Sequence, residues 1–322
     1  MPFFSVCSII LLCCLCMSTS LLARTPEGAV NNRDMNDDGM VDLSEWGKKK
    51  SIFNKIDANS DGYLTPDEFA AHWTRRGIPF DKDGVLPNPT FEFLDTDQYI
   101  KHSVQYPQGD GPFPGLMLLH SSGGFLSSQF YVKLYLDAGY AVYSPDFFHR
   151  HGITHENRFS TWSTYREPIE YELTQLIQVM KKDPKIDGEN VFAIGFSNGG
   201  YWATYLAGSA QVNAAASHYG VWKSKFGGDC TSYPAYYLGP HSSPLLALHP
   251  RHDATQDIYC AKYAWNAAKT RGFEKLTLHI YEQKDVTHAW HVDAPSKSYK
   301  KNEWVVKDST DRTLAFFEKF KK

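Results

Sequence analysis

Residues 190–208 read NVFAIGFSNGGYWATYLAG, and this stretch decides the fold. The apolar run at 191–194 predicts a short buried strand, and the run that follows the glycines has helical periodicity. Between them the segment GFSNG at 195–199 matches the pattern G-x-S-x-G. In that pattern a serine occupies a sharp strand-to-helix turn, and small residues two positions to either side relieve crowding. A plain glycine-rich connection is the alternative, but the flanking strand and helix favour Ser197 as a nucleophile beside a helix N-terminus.

Strands and helices alternate through the rest of residues 90–322. Strands are predicted at 91–95, 99–105, 115–119, 140–143, 214–218, 245–249 and 276–281. Helices are predicted at 128–137, 167–182, 256–270 and 310–320. This order is typical of an α/β fold with a mostly parallel sheet and helices on both faces. We therefore predict the α/β-hydrolase fold for this part of the chain.

A serine nucleophile needs a base, and the base needs a carboxylate that orients it. In the chain order serine, acid, histidine, each member follows a strand. Asp253 follows the strand at 245–249 and is the predicted acid, with Asp257 as the weaker choice because it falls in the next helix. His288 follows the strand at 276–281 and is the predicted base, with His291 as the alternative.

Ester hydrolysis through a tetrahedral intermediate also needs backbone N–H groups that stabilise the oxyanion. Asn198, directly after the nucleophile, is predicted to supply one of them. The loop after the strand at 115–119 is predicted to supply the other, from Ser122 in preference to Ser121.

With these residues in place, residues 91–322 resemble the dienelactone hydrolase family of α/β-hydrolases. The matching stretches are LMLLHSSGG, AGYAVYSPDFF, VFAIGFSNGG, ASHYGV, LLALHPRHD, VTHAW and RTLAFFEKF. The resemblance implies a triad of Ser197, Asp253 and His288, with an oxyanion hole at Ser122 and Asn198.

The chain differs from the prototype members of that family at three positions. Ser197 stands where they have a cysteine, and Ser121 stands where a glutamate holds that cysteine. Val292 replaces an arginine that grips a substrate carboxylate. These differences imply a serine enzyme and disfavour an acidic dienelactone as its substrate.

Two segments before the hydrolase region match the EF-hand calcium loop, which carries oxygen ligands at fixed positions and a glycine at the sixth. The predicted ligands of two calcium ions are Asp34, Asn36, Asp38, Met40, Asp42 and Glu45 in the first loop, and Asp57, Asn59, Asp61, Tyr63, Thr65 and Glu68 in the second. Val41 and Leu64, at the eighth positions, are predicted to pair the loops through a short β-bridge. A small α-helical EF-hand pair at 24–77 is therefore predicted.

The spacing of the two loops leaves room for one helix between them, predicted at 45–56. A second helix is predicted at 66–75. Pro26 and Gly28 make the segment before Asp34 a poor entering helix.

The first 23 residues contain no Asp, Glu, Lys or Arg and include an apolar run too short for a membrane span. We predict a signal peptide at 1–23 and a secreted or periplasmic protein. Four of the six cysteines lie in this segment. The other two, Cys230 and Cys260, either pair in an oxidising compartment or remain buried thiols. Residues 78–89 are predicted to be a linker, because they contain three prolines and a charged turn.

The net charge of −3 gives the chain no general attraction to nucleic acid or anionic membranes. His149, His151 and His155 lie in one loop but lack the compact spacing of a metal site. We predict an exported serine hydrolase that cleaves a small-molecule ester, thioester or lactone. The alternative is a calcium-dependent docking or binding protein, in which the EF-hand pair recruits a protein partner.

Overall fold

The structure is a computed structural model that describes residues 26–31, 34, 38–46, 50–75, 100–223, 230, 234–294 and 297–322. The chain divides into two compact units, Met1–Thr90 and Phe91–Lys322. The predicted signal peptide, the linker, the ligand Asn36 and the strand at 91–95 lie outside the described residues. No helix among those described is long and apolar enough to cross a membrane.

The small unit contains three helices and a two-stranded sheet in its described part. They are α1 (Pro26–Asn31), β1 (Val41–Asp42), α2 (Lys50–Ile56), β2 (Tyr63–Leu64) and α3 (Pro66–Arg75). The β1 and β2 strands are antiparallel, and Val41 lies opposite Leu64, so the predicted bridge between the loops is present. Trp46 packs against Phe53 and Phe69, and these rings form one apolar core with Val41 and Leu64.

The prediction of a poor entering helix is wrong, because α1 precedes the first loop. Pro26 is the first residue of this helix, where its missing N–H leaves no hydrogen bond unmade. Val30 is buried, and its carbonyl accepts a hydrogen bond from the N–H of Asp34 at 3.0 Å. Residues 43–45 form a turn instead of the predicted start of the helix between the loops, and the described part of that helix is α2.

The large unit alternates strands and helices as predicted. Its strands are β3 (His102–Gln105), β4 (Phe113–Leu119), β5 (Ala141–Pro145), β6 (Ile186–Phe196), β7 (Ala214–His218), β8 (Leu245–Pro250) and β9 (Leu276–Tyr281). Its α-helices are α4 (Val132–Asp137), α5 (Arg166–Lys182), α6 (Asn198–Gly208), α7 (Pro234–Tyr237), α8 (Ile258–Thr270) and α9 (Glu303–Glu318). In the described part of this unit, 3₁₀ helices lie at Phe125–Tyr131, His149–His151 and Arg158–Trp162.

The strands form a seven-stranded sheet in the order β3-β5-β4-β6-β7-β8-β9. Every neighbouring pair is parallel except β3 and β5. Leu119 pairs with Gly195 and Phe196 pairs with His218, so the carboxyl ends of β4, β6 and β7 lie along one edge. Ligand and catalytic sites of open α/β sheets lie at this edge.

Both faces of the sheet are covered, because successive side chains of a strand point to opposite sides. Met117 and Leu119 belong to the apolar core that includes residues of α5, α6 and α8. Leu116 and Leu118 belong to the core on the other side, with residues of α4 and α9. The predicted fold class is confirmed, and the predicted helix at 128–137 is partly a 3₁₀ helix.

Cys230 and Cys260 are joined by a disulfide, which resolves the choice that the sequence leaves open. Cys260 lies on α8 and is buried. The disulfide therefore links the segment after β7 to α8.

Candidate active site

Ser197 occupies a tight turn between β6 and α6. Its backbone has φ 53° and ψ −109°, an uncommon conformation for a residue with a side chain. The turn requires glycine on both sides. A Cβ on Gly195 would lie 1.9 Å from the carbonyl oxygen of Gly199, and one on Gly199 would lie 2.1 Å from that of Leu119. The turn is held by the N–H of Ser197, which donates to the carbonyl of His218 at 3.0 Å.

The structure brings Ser197, His288 and Asp253 into one hydrogen-bonded chain. Nε2 of His288 lies 2.8 Å from Oγ of Ser197, and Nδ1 lies 2.7 Å from Oδ2 of Asp253. A carboxylate only accepts, so the proton of His288 resides on Nδ1 and Nε2 is free to accept from the serine. All three residues are more than nine-tenths buried. This arrangement can deprotonate Ser197 during attack on a carbonyl.

Asp253 is supported as a carboxylate. Its Oδ1 accepts the N–H groups of Thr255 and Gln256, each at 2.8 Å. Burial raises the pKa of this carboxyl, but His288, His249 and the N–H of Gln256 together outweigh burial, so the net pKa lies below the ordinary value. Asp253 therefore stays ionised and can stabilise a protonated His288.

The two alternative residues have other partners. Oδ1 of Asp257 accepts the N–H of Tyr259 at 2.6 Å and so caps α8. Nδ1 of His291 lies 3.0 Å from the hydroxyl of Tyr219, and its Nε2 lies 2.9 Å from the carbonyl of Ser127. Neither residue contacts Ser197 in the described hydrogen bonds.

The two residues predicted to supply the oxyanion N–H groups are neighbours, because the side-chain Nδ2 of Asn198 donates to Oγ of Ser122 at 3.3 Å. Asn198 is the first residue of α6, so its N–H has no acceptor one turn earlier. In the loop after β4, the N–H groups of Ser121, Gly123 and Gly124 donate to Ser127 Oγ, Ser121 Oγ and the Ser121 carbonyl, respectively. Among the residues that the structure describes, none accepts the N–H of Ser122. Ser122 is thus the donor in this loop that is available to a substrate.

His120 is a residue that the sequence analysis did not single out, and it orients the Ser122 N–H. Its Nδ1 donates to the carbonyl of Ser121 at 2.8 Å, and Gly124 donates to the same oxygen at 3.0 Å. The carbonyl of Ser121 and the N–H of Ser122 belong to one trans peptide, so they point in opposite directions. Holding the carbonyl therefore aims the N–H. The one sign of this role in the sequence was the position of His120 directly before Ser121 and Ser122.

Gln256 is a second residue that the sequence analysis missed, and it links the loop of Asp253 to the turn at Ser197. Its N–H contacts Asp253, and its side-chain Oε1 accepts the N–H groups of 222–223, each at 3.0 Å. The N–H of the preceding Val221 donates to the carbonyl of Ser197 at 3.0 Å. A buried glutamine leaves no sequence pattern, so only the fold identifies it.

The two predicted calcium loops of the small unit contain hydrogen bonds from backbone N–H groups to their own carboxylates. In the second loop, the N–H of Gly62 donates to Asp57 and the N–H of Thr65 donates to Glu68, at 3.2 and 3.0 Å. In the first loop, the N–H of Gly39 donates to Asp34 at 2.7 Å. Among the described residues, no three His, Cys, Asp or Glu side chains are grouped closely enough to hold a metal.

Comparison with known families identifies the large unit. The model of the dienelactone hydrolase family matches residues 100–321, which is more than half of the chain. A model described as EF hand matches residues 49–71, which include the second predicted calcium loop. The fold and the matched family define a hydrolase of the α/β-hydrolase class. Within that class, the chain belongs to the dienelactone hydrolase family.

Solved structures share this fold at low sequence identity. A protein of Klebsiella pneumoniae assigned as a dienelactone hydrolase is 20% identical, with a TM-score of 0.58 over 68% of this chain and 92% of that one. A dienelactone hydrolase-like promiscuous phosphotriesterase from metagenomic libraries is 17% identical, with a TM-score of 0.57 over 70% and 95%. A butyrate-bound esterase of Thermogutta terrifontis is 14% identical, with a TM-score of 0.53 over 68% and 89%. A comparison with curated protein sequences found no significant match.

Two buried histidines near the triad predict a loss of stability in mild acid. Burial lowers the pKa of His218 to about 3 and that of His291 to about 4, from 6.5. Below pH 6.5 these two histidines bind protons in the unfolded chain but not in the folded chain, so the free energy of unfolding falls. The expected loss from pH 7 to pH 5 is about 2 kcal/mol for each histidine.

Urea unfolding at pH 7, 6 and 5 measures this effect. Between pH 7 and pH 5, the free energy of unfolding should fall less in the variant His218→Gln than in the wild type. The difference should be about 2 kcal/mol, the contribution of one histidine. Equal pH dependence in both proteins would contradict the assignment to His218.

Proposed function

We propose that this protein is a serine hydrolase that cleaves a carboxylic ester, thioester or lactone through an acyl-enzyme. The observation that carries the proposal is the continuous chain from Ser197 Oγ to His288 and Asp253, with distances of 2.8 and 2.7 Å. Membership of the dienelactone hydrolase family supports the reaction class. The esterase named among the structural neighbours agrees with it.

In the first half of the reaction, Ser197 Oγ attacks the ester carbonyl carbon while His288 Nε2 takes the hydroxyl proton. The carbonyl oxygen becomes an oxyanion between the N–H groups of Ser122 and Asn198. Asp253 stabilises the positive charge on His288. As the tetrahedral intermediate collapses, the bond to the alcohol oxygen breaks and His288 gives its proton to that oxygen.

In the second half, a water molecule replaces the departed alcohol. His288 removes a proton from the water, and the resulting oxygen attacks the acyl carbon. The bond from the acyl carbon to Ser197 Oγ then breaks, and the proton returns from His288 to the serine. The products are a carboxylic acid and the regenerated enzyme.

A fluorophosphonate probe tests the nucleophile directly, because it reacts with an activated serine and its adduct resembles the tetrahedral intermediate of ester hydrolysis. Mass spectrometry of the digested protein should place one adduct on Ser197. Hydrolysis of p-nitrophenyl acetate by the same preparation should stop as labelling is completed. An unlabelled protein, or an adduct elsewhere with activity retained, would contradict the proposal.

The small unit is proposed to bind calcium. Its loops offer carboxylate, amide and carbonyl oxygens, which are the ligands that calcium prefers. In the second loop, Oδ1 of Asp57 is buried and has no hydrogen-bond partner among the described residues. Buried polar atoms normally have a partner, and a bound cation would provide one for this oxygen. Asp57, Asn59, Asp61, Thr65 and Glu68 would hold the ion through side chains. The carbonyl of residue 63 would complete that set.

The first loop would hold a second ion through Asp34, Asp38, Asp42 and Glu45. Calcium would neutralise the clustered carboxylates and fix the two loops against the β1–β2 bridge. Its contribution would be to the stability of the small unit.

Removing calcium should lower the melting temperature without changing the initial rate of p-nitrophenyl acetate hydrolysis. Saturation at about 100 times Kd stabilises a folded state by about 2.7 kcal/mol. Calorimetry of the full chain with calcium and with chelator measures the shift. Glu68→Gln should reduce it, while Asp67→Asn, which removes an exposed neighbouring carboxylate, should not. A chelator effect on rate with no effect on melting would contradict a structural role.

We also propose export from the cytoplasm. The charge-free first 23 residues support it, and so does the Cys230–Cys260 disulfide, since such bonds persist in oxidising compartments. The docking alternative receives less support. In α3, the large apolar side chains Phe69 and Trp73 are buried in the core of the small unit itself.

A further inference from the structure

The side-chain hydroxyl of Ser122 belongs to the same residue as one of the proposed oxyanion N–H groups. Its oxygen lies 3.3 Å from Nδ2 of Asn198. Among the residues that the structure describes, none accepts the hydrogen of this hydroxyl. The use of that hydrogen depends on how the Asn198 amide is oriented, because an amide oxygen at this position would take the hydrogen, whereas an NH₂ group would leave it free.

Thr161 fixes the orientation of the amide. Oγ1 of Thr161 lies 3.3 Å from the same nitrogen of Asn198 and donates its hydrogen to the carbonyl of Arg158 at 3.0 Å. A hydroxyl whose hydrogen is already donated can only accept from another neighbour. The group of Asn198 that faces Thr161 is therefore the NH₂, which gives one hydrogen to Thr161 and the other to Ser122.

The hydroxyl of Ser122 is consequently an acceptor toward Asn198 and a donor in another direction. The backbone N–H of Ser122 also has no acceptor among the described residues, and the carbonyl of Ser121 that aims it is held by His120. Ser122 therefore offers a backbone N–H and a side-chain O–H. A serine side chain is short, so both groups can reach one acceptor atom.

The same contact places the Ser122 hydroxyl next to the residue that supplies the other oxyanion N–H. Asn198 is the first residue of α6 and directly follows Ser197. Its backbone N–H is the second proposed donor, and its side-chain NH₂ holds Oγ of Ser122. An oxyanion bound by both N–H groups would therefore lie beside this hydroxyl.

The amide of Asn198 serves the site at a cost to the fold. Asn198 and Thr161 are both fully buried. Oδ1 of Asn198 is buried and has no hydrogen-bond partner among the described residues. A buried acceptor without a partner lowers stability, so an apolar side chain would suit the fold better at this position. Such departures from the rules of stable packing are typical of functional sites.

We infer that the Ser122 hydroxyl is an additional oxyanion donor, beside the N–H groups of Ser122 and Asn198, and that the Asn198 side chain positions it. The inference rests on the proposed ester hydrolysis and deepens it. The hydroxyl contacts the reacting oxygen, whereas the amide acts only through the hydroxyl. Its effect belongs to the transition state, because the negative charge on that oxygen develops there.

Ser122→Ala tests the hydroxyl, because alanine keeps the backbone N–H and loses only Oγ. With p-nitrophenyl acetate as substrate, kcat should fall about a hundredfold while KM changes less than about twofold. Ser163→Ala is the matched control. It removes the hydroxyl of an exposed serine that directly follows the 3₁₀ helix Arg158–Trp162, and it should leave both constants unchanged.

Asn198→Ala tests the positioning role. The backbone N–H remains, and only the group that holds the Ser122 hydroxyl is lost, so kcat should fall about tenfold. The double variant with Ser122→Ala should be no more than about twofold slower than Ser122→Ala alone, because the amide acts through a hydroxyl that is already missing.

Trifluoroacetone separates a catalytic loss from a structural one. Ser197 Oγ adds to its carbonyl carbon, the serine proton passes to His288, and the carbonyl oxygen becomes an oxyanion. The inhibition constant of trifluoroacetone should therefore rise in Ser122→Ala by about the factor by which kcat/KM falls. The melting temperature of the variant should stay near that of the wild type.

Three results would overturn the inference. The kcat of Ser122→Ala could remain within about threefold of the wild type. Its loss could appear in KM alone, or without a matching change in the inhibition constant. The losses of Ser122→Ala and Asn198→Ala could multiply in the double variant. Failure of the proposed function is distinct, because the wild type would then hydrolyse no p-nitrophenyl acetate and take up no fluorophosphonate.

Discussion

Replacing Ser197 with alanine should lower kcat for a simple ester by about 10⁶-fold. The substitution removes the oxygen that forms the acyl-enzyme, and no other hydroxyl lies within hydrogen-bond distance of His288 Nε2 among the described residues. The backbone change is small, because alanine keeps the Cβ that position 197 already accommodates. Residual turnover would come from the oxyanion donors and from His288 acting on water directly.

Steady-state hydrolysis of p-nitrophenyl acetate measures this loss, with active-site titration to exclude wild-type contamination. Melting temperature and circular dichroism should remain close to those of the wild type, because Ser197 Oγ serves catalysis and makes no bond that the fold depends on. The variant should also take up no fluorophosphonate. A rate within tenfold of the wild type would exclude Ser197 as the nucleophile and remove the basis of the proposed mechanism.

Replacing Asp253 with asparagine should lower kcat by about 10⁴-fold with little change in structure. Oδ1 of Asp253 accepts two backbone N–H groups, so the amide oxygen of asparagine must occupy that position. The amide NH₂ then faces Nδ1 of His288, which has to accept instead of donate. The proton of His288 moves to Nε2, and the histidine can no longer take the proton of Ser197.

Asp257→Asn is the matched control for this prediction. Asp257 lies four residues further along and caps α8 through the N–H of Tyr259. Asparagine also caps helices well, so rate and stability should both remain near the wild type. A pH–rate profile separates the two effects, because only Asp253→Asn alters the group that His288 depends on. Equal losses in both variants would show that the acid is misassigned.

Much of the fold follows from local sequence. The strand-turn-helix pattern around Ser197 and the alternation of strands and helices predict the α/β-hydrolase fold, because apolar periodicity and turn residues act over a few neighbours. Chain order then predicts the loops that hold Asp253 and His288. The two predicted calcium loops are equally local, since each carries its whole ligand pattern within twelve residues.

Local patterns were less reliable where tertiary packing competes with propensity. The short helix α1 forms despite Pro26 and Gly28, because Val30 becomes buried in the small unit. The helix α9 begins at Glu303 instead of residue 310, since Val305 and Val306 pack under the sheet.

Sequence by itself determined the class of the protein and the tight turn at Ser197, and it predicted the loops that hold Asp253 and His288. Only the tertiary structure showed that His288 rather than His291 reaches Ser197, and that Cys230 meets Cys260. It also showed that the N–H of Ser122 has no acceptor among the described residues. The roles of His120 and Gln256 also emerge only there. The physical reason is that these contacts join residues from different loops. Their distances depend on how the strands align at one edge of the sheet, and no local pattern encodes that alignment.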